Sequence, residues 1–164
     1  MTAWTQFHPT EPLTTPDGQR VGIDVEMVPL VQQLWRLGFQ TKVACQDAGE
    51  AVLQGGTRAP EADRPRIAAR TMGRAWLIVR ADQAPRLLDA LVEVTSTGDW
   101  KLSPVVKDRD PDFWTSITFP RHQIAVAATL LARAQEDIVR NPAPAADGDP
   151  AQPPAETAPA LDSG

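Results

Sequence analysis

The sequence predicts an α+β domain: a two-layer sandwich of a mainly antiparallel four- to five-stranded sheet and three helices. Three observations lead there. Apolar residues recur at helical three-four spacing over 27–37, and strand-length segments rich in β-branched and aromatic residues lie at 39–45, 75–80 and 113–119. Turn residues separate these segments at domain-like intervals.

Taken in order, residues 1–19 contain Pro9, Pro12, Pro16 and Asp17-Gly18 and read as an extended lead-in that ends in a turn, with Trp4 and Phe7 available to pin it. Residues 20–140 form the single domain. Asp24 and Glu26 favour a helix start, and Pro29 is tolerated only within the first turn. Met27, Leu30, Val31, Leu34 and Leu37 share one face; Gly38 supplies a left-handed stop, and Phe39 folds back onto Leu34. Phe39, Thr41, Val43 and Cys45 then alternate with polar or small residues, which predicts a strand whose inward face carries the cysteine.

Residues 47–74 lack periodicity and predict a long loop with a short helix around 66–72. A near-continuous apolar strand follows at 75–80. Asp82 is expected to cap a helix with Ala84, Leu87, Leu88, Leu91 and Val94 inward, ending near Gly98. Residues 100–106 and 113–119 predict a hairpin about the turn Asp108-Arg109-Asp110-Pro111-Asp112. Pro120 opens a final helix that buries Ile124, Ala127, Ala128 and Leu131. With 20–23 as a strand, the order matches a ferredoxin-like split βαβ sheet plus an extra βα unit. Without it, an antiparallel four-stranded sheet under three helices remains.

Residues 141–164 are almost wholly Pro, Ala, Gly and acid, so a disordered tail is expected. Their four acids and no base account for most of the net charge of −5. The nearly neutral body offers no global field for nucleic acid or membrane, and no apolar run approaches bilayer length. The N-terminus has no secretory pattern and Cys45 is the only cysteine, so a cytoplasmic protein without disulfides is expected.

Residues 25–46, VEMVPLVQQLWRLGFQTKVACQ, resemble a pattern in small actinobacterial and actinophage proteins of no established activity. There, an amphipathic helix ends Leu-Trp-x-x-Gly and leads into a strand with a threonine and a terminal Cys-Gln or Ser-Cys. Leu34, Trp35, Gly38, Thr41, Cys45 and Gln46 carry the match, and a strand running into Phe119-Pro120 extends it more weakly. Related patterns continue into Gly-His, where this chain has Asp47-Ala48-Gly49. The resemblance implies a fold and no catalytic residues.

Cys45, His122 and Asp47 could supply a nucleophile, a base and an orienting carboxylate. Against this, a cysteine on the inward strand face is an inert core residue. His122 at a helix start is expected to pack or to face solvent, and His8, the other histidine, lies in the lead-in. Asp108, Asp110 and Asp112 alternate as in a cation loop, but Phe113 and Phe119 occupy the positions where a calcium hand needs glycine and glutamate. No metal site and no cofactor are expected.

Arg58, Arg64, Arg66, Arg70 and Arg74 cluster in the long loop near Gly55-Gly56 and are candidates for an anion or nucleic acid, without a phosphate-loop fingerprint. Trp114, on the strand face opposite Phe113, Thr115 and Ile117, either packs under a loop or marks a partner surface. The expectation is a small non-enzymatic interaction or regulatory module, with a sheet face or the arginine-rich loop as its contact surface and a protein or nucleic acid as partner. Its rivals are an enzyme using Cys45 with His122, and anion or nucleic-acid binding through residues 58–74.

Overall fold

The stretch expected to lead unpaired into the domain is the first arm of a β-hairpin. In a computed structural model describing residues 8–105 and 113–140, β1 (Thr10–Thr14) pairs antiparallel with β2 (Arg20–Asp24), Thr10 opposite Asp24 and Thr14 opposite Arg20. Thr15 closes the turn by accepting the Gly18 amide on its carbonyl and the Gln19 amide on its hydroxyl. Trp4, Phe7, the turn at 108–112 and the tail at 141–164 lie outside the described residues.

A 3-10 turn (Val25–Met27) leads into α1 (Val28–Arg36), which holds Pro29 in its first turn. The helix buries Val28, Leu30, Val31 and Leu34. Gly38 adopts φ +80°, and the Phe39 amide donates to the Leu34 carbonyl at 2.9 Å, the stop that the sequence announced.

The main sheet has four strands in the order β3-β4-β6-β5, every neighbouring pair antiparallel. They are β3 (Thr41–Cys45), β4 (Arg74–Arg80), β5 (Lys101–Pro104) and β6 (Trp114–Pro120). Because β2 pairs with β1 in a separate sheet, the four-stranded sheet takes no strand from 20–23.

Among the described residues six α-helices form, where three and a short one around 66–72 were expected. The region read as a long loop holds an unexpected α2 (Ala48–Leu53) and, as α3 (Arg64–Thr71), the short helix expected around 66–72; the two pack against each other. Asp82 does not cap the next helix; it pairs with Arg80, and the helix is split into α4 (Ala84–Ala90) and α5 (Val92–Thr95). After a 3-10 turn (Arg121–Gln123), α6 (Ile124–Arg140) closes the described chain. None of the described helices is long and apolar enough to cross a membrane.

The core lies between one sheet face and helices α1, α4, α5 and α6. Ala75, Leu77, Val79, Ile117 and Phe119 point into it, and Trp100 stacks on Phe119 at a centroid distance of 4.1 Å. The same pleat sends Trp76 and Ile78 to the other face.

In β3 the alternation does not run through. Thr41 pairs with Val79 but Val43 pairs with Ile78, so Lys42 is an extra residue, a β-bulge. Cross-strand partners point the same way. Beyond the bulge, Ala44 therefore packs against the core while Val43 and Cys45 turn to the opposite face. The expectation that Cys45 sits on the inward face is corrected by this single inserted residue.

Candidate functional site

Cys45, at the end of β3, is only partly buried and lies beneath the segment that enters β1. Its Sγ is 4.0 Å from Nδ1 of His8, a buried residue. The histidine stands between two carboxylates: Nδ1 is 2.9 Å from Asp24 Oδ2, and Nε2 is 2.8 Å from Glu50 Oε2. Asp24 is fixed from the other side by the Gln46 amide, which donates to Oδ2 at 2.9 Å. Three chain segments thus meet at one imidazole: the entry to β1, the end of β2, and the turn from β3 into α2.

A second carboxylate organises the turn itself. Asp47 is 2% exposed and caps α2, its Oδ1 accepting the Gly49 and Glu50 amides at 3.0 and 3.1 Å. Its Oδ2 accepts the Gly73 amide at 3.0 Å and an Arg121 Nη1 hydrogen at 3.3 Å. Arg121 also grips Glu26 with both arms of its guanidinium, at 2.8 and 2.5 Å, and reaches Glu50 at 3.4 Å. The bidentate hydrogen bonds from Arg121 hold the Glu26 carboxyl below its ordinary range and push the guanidinium up.

The predicted trio is therefore only partly assembled. Cys45 and Asp47 are separated by Gln46 alone, but Asp47 spends its oxygens on backbone amides and Arg121. His122 is exposed in the 3-10 turn after β6; its neighbour Arg121 is the residue that turns into the site. The imidazole beside the thiol belongs to His8, a residue of the expected lead-in. Its clue was weak: a histidine a few residues before a strand whose partner ends in Asp24.

The arginine group also separates. Arg64 donates to the Ala59 carbonyl, Arg66 pairs with Asp63, and Arg74 donates to the carbonyls of Asp99 and Thr118. Arg58 and Arg70 are exposed. Arg64, Arg66 and Arg74 thus serve different partners.

Burial, reinforced by the Asp24 carboxylate, pushes the Cys45 thiol up to about 12. In the unfolded chain the same thiol ionises near its ordinary value of 9.0, so above that value the unfolded state binds fewer protons. The thiol's contribution to stability is thus complete below about 9 and is lost as pH climbs toward about 12. Urea unfolding between about pH 8 and about pH 10.5 is expected to show a steeper loss for the native protein than for Cys45→Ala. Parallel curves would remove this effect.

The opposite sheet face forms a second feature. Trp76 on β4 and Trp114 on β6 are partly exposed there, on neighbouring central strands. Trp76 Nε1 donates to Ser116 Oγ at 2.8 Å, and Lys42 of the bulge lies 5.5 Å above the Trp114 ring. Thr118 shares the face, as does the exposed Lys101 of β5 opposite it. None of the described strand residues pointing this way is acidic.

Compared with protein-family models, with curated proteins and with solved structures, the chain gives no match.

Proposed function

We propose that this domain is a non-enzymatic binding module whose contact surface is the sheet face bearing Trp76 and Trp114, and whose ligand is an extended single-stranded nucleic acid. The observation that carries the reading is the presence of two partly exposed indoles on adjacent central strands, turned away from the packed core. Flat aromatic faces on an antiparallel sheet accept unstacked bases, each contact contributing about 1–3 kcal/mol. Trp76 stands opposite Thr118 and Trp114 opposite Arg80, a separation of four residues along the strands. At about 3.4 Å per residue this is about 14 Å, too far for two neighbouring stacked bases and suited to a splayed strand.

The Ser116 hydroxyl lies between the rings and the Thr118 hydroxyl beside Trp76, and Lys42 and Lys101 supply positive charge. Arg74 and Arg80 share this face but are engaged by the Asp99 and Thr118 carbonyls and by Asp82. Binding should therefore depend weakly on salt, with a log–log slope near −1 to −2 (about −0.7 per phosphate on a single strand). The raised thiol supports the non-enzymatic side of the proposal, since a nucleophilic cysteine works as its thiolate.

Quenching of tryptophan fluorescence by short oligo-uridine and oligo-thymidine tests the reading. Trp76→Ala and Trp114→Ala should each weaken binding about tenfold or more, while Trp76→Phe keeps most of it. Unchanged fluorescence at about 50 mM salt, or native affinity in both alanine variants, would overturn it.

A further inference from the structure

At the hairpin junction, beside the Trp76 end of that sheet face (Cys45 stands opposite Trp76), three side chains of different chemistry converge. His8 precedes β1, Asp24 ends β2 and Cys45 ends β3, and one donor atom from each lies within 4.8 Å of the other two. His8 Nδ1 is 2.9 Å from Asp24 Oδ2 and 4.0 Å from Cys45 Sγ. A tetrahedral zinc ion with bonds of about 2.0–2.3 Å sets N···O near 3.4 Å and N···S near 3.6 Å. One edge must open by about half an ångström and the other close by about as much, which small side-chain torsions supply.

The surroundings of the triangle already suit a metal. Glu50 Oε2 lies 2.8 Å from Nε2, on the far side of the ring from the thiol. A carboxylate there takes the Nε2 hydrogen and leaves the Nδ1 lone pair for an ion, an arrangement common to metal-bound histidines. The Gln46 amide holds Asp24, and Arg121 reaches the second oxygen of Glu50 at 3.4 Å. A plainer arrangement, an imidazolium clamped between two carboxylates, uses Asp24 and Glu50 but gives the sulfur nothing to do.

We infer that His8, Asp24 and Cys45 form a mononuclear site for a divalent ion of the zinc class, with Glu50 as the positioning residue for His8. The mixed nitrogen, sulfur and oxygen set selects the ion. Magnesium and calcium prefer oxygen alone and copper(I) prefers soft sulfur, whereas zinc and its spectroscopic substitute cobalt(II) accept all three. On binding, the ion takes the thiolate and the thiol proton leaves to solvent. Because the ligands come from the entry to β1, the end of β2 and the end of β3, the ion also ties the small sheet to the main one.

Titration of the full chain with cobalt(II), followed by displacement with zinc, tests the site. The expected result is one ion per chain, a near-ultraviolet thiolate-to-cobalt charge-transfer band, and protection of Cys45 from alkylation when zinc is present. Cys45→Ser should abolish the band. His8→Ala and Asp24→Asn should weaken binding tenfold or more, and Glu50→Gln by about 10–100-fold without moving the band. Circular dichroism of each variant separates lost binding from lost folding, and the alkylation measurement on the unmodified chain needs no variant. No band and no protection at saturating metal would overturn the proposal, leaving the imidazolium clamp. A band that survives His8→Ala would equally overturn it, by placing the ion elsewhere.

Discussion

Asp47→Ala is expected to destabilise the domain by about 3 kcal/mol and to lower its melting temperature by about 10 °C. The carboxylate is 2% exposed and its two oxygens meet four donors: the amides of Gly49, Glu50 and Gly73, and the Arg121 guanidinium. Losing the helix cap alone costs about 1 kcal/mol. Hydrogen bonds to a charged group are worth about 1.5–3 kcal/mol each. They do not simply add, because the Gly73 amide is exposed and can turn to water while the Gly49 amide is buried and cannot. Asp47→Asn keeps an oxygen for the cap but directs an amide hydrogen at Gly73 and Arg121, so about half the loss is expected. Thermal melts of the two variants check this order. A shift under about 3 °C for the alanine variant would mean that the turn into α2 is held by packing rather than by this carboxylate.

Much of the architecture could be read from the residues, and the misreadings have definable causes. The first helix was legible because its apolar spacing, its early proline and its glycine stop agree. The sheet and its inward residues on β4 and β6 followed from simple alternation. β3 did not, because a bulge leaves the composition of a strand unchanged while reversing the face of every residue after it. That one residue moved Cys45 from the expected core to the opposite face.

The short α2 was hidden by its length. Its capping signal, Asp47 followed by Glu50 three residues on, was nevertheless present in the sequence. The candidate site was legible only in part. Cys45 and Asp47 were singled out by residue type and by their place at a strand end, but the imidazole beside the thiol comes from 37 residues away and does not touch Asp47. Such a pairing is fixed by the docking of one sheet on another, which no local pattern records.

Gly49→Ala is expected to cost at least about 3 kcal/mol, against the usual direction for this exchange within a helix. Alanine is intrinsically the better helix former by about 1 kcal/mol, and Gly49 is not among the glycines with positive φ, so backbone conformation alone would favour the variant. Close approach decides otherwise. A Cβ at this position would stand 2.5 Å from both the Cα and the N of Met72 and 2.9 Å from the carbonyl carbon of Thr71. All three are backbone atoms at the end of α3, so no side-chain rotation relieves the clash, and α2 must shift away from α3. Such a shift pulls on both ends of the polar junction, because Glu50 faces His8 and Asp47 holds Gly73. The variant should therefore melt well below the native protein, and the ring-proton resonances of His8 should move with it. Ala51→Gly, two residues along the same helix, should show only the propensity loss of about 1 kcal/mol plus the small cavity left by one methyl group. A Gly49→Ala domain as stable as the native one would show that α2 and α3 sit farther apart than a missing Cβ requires.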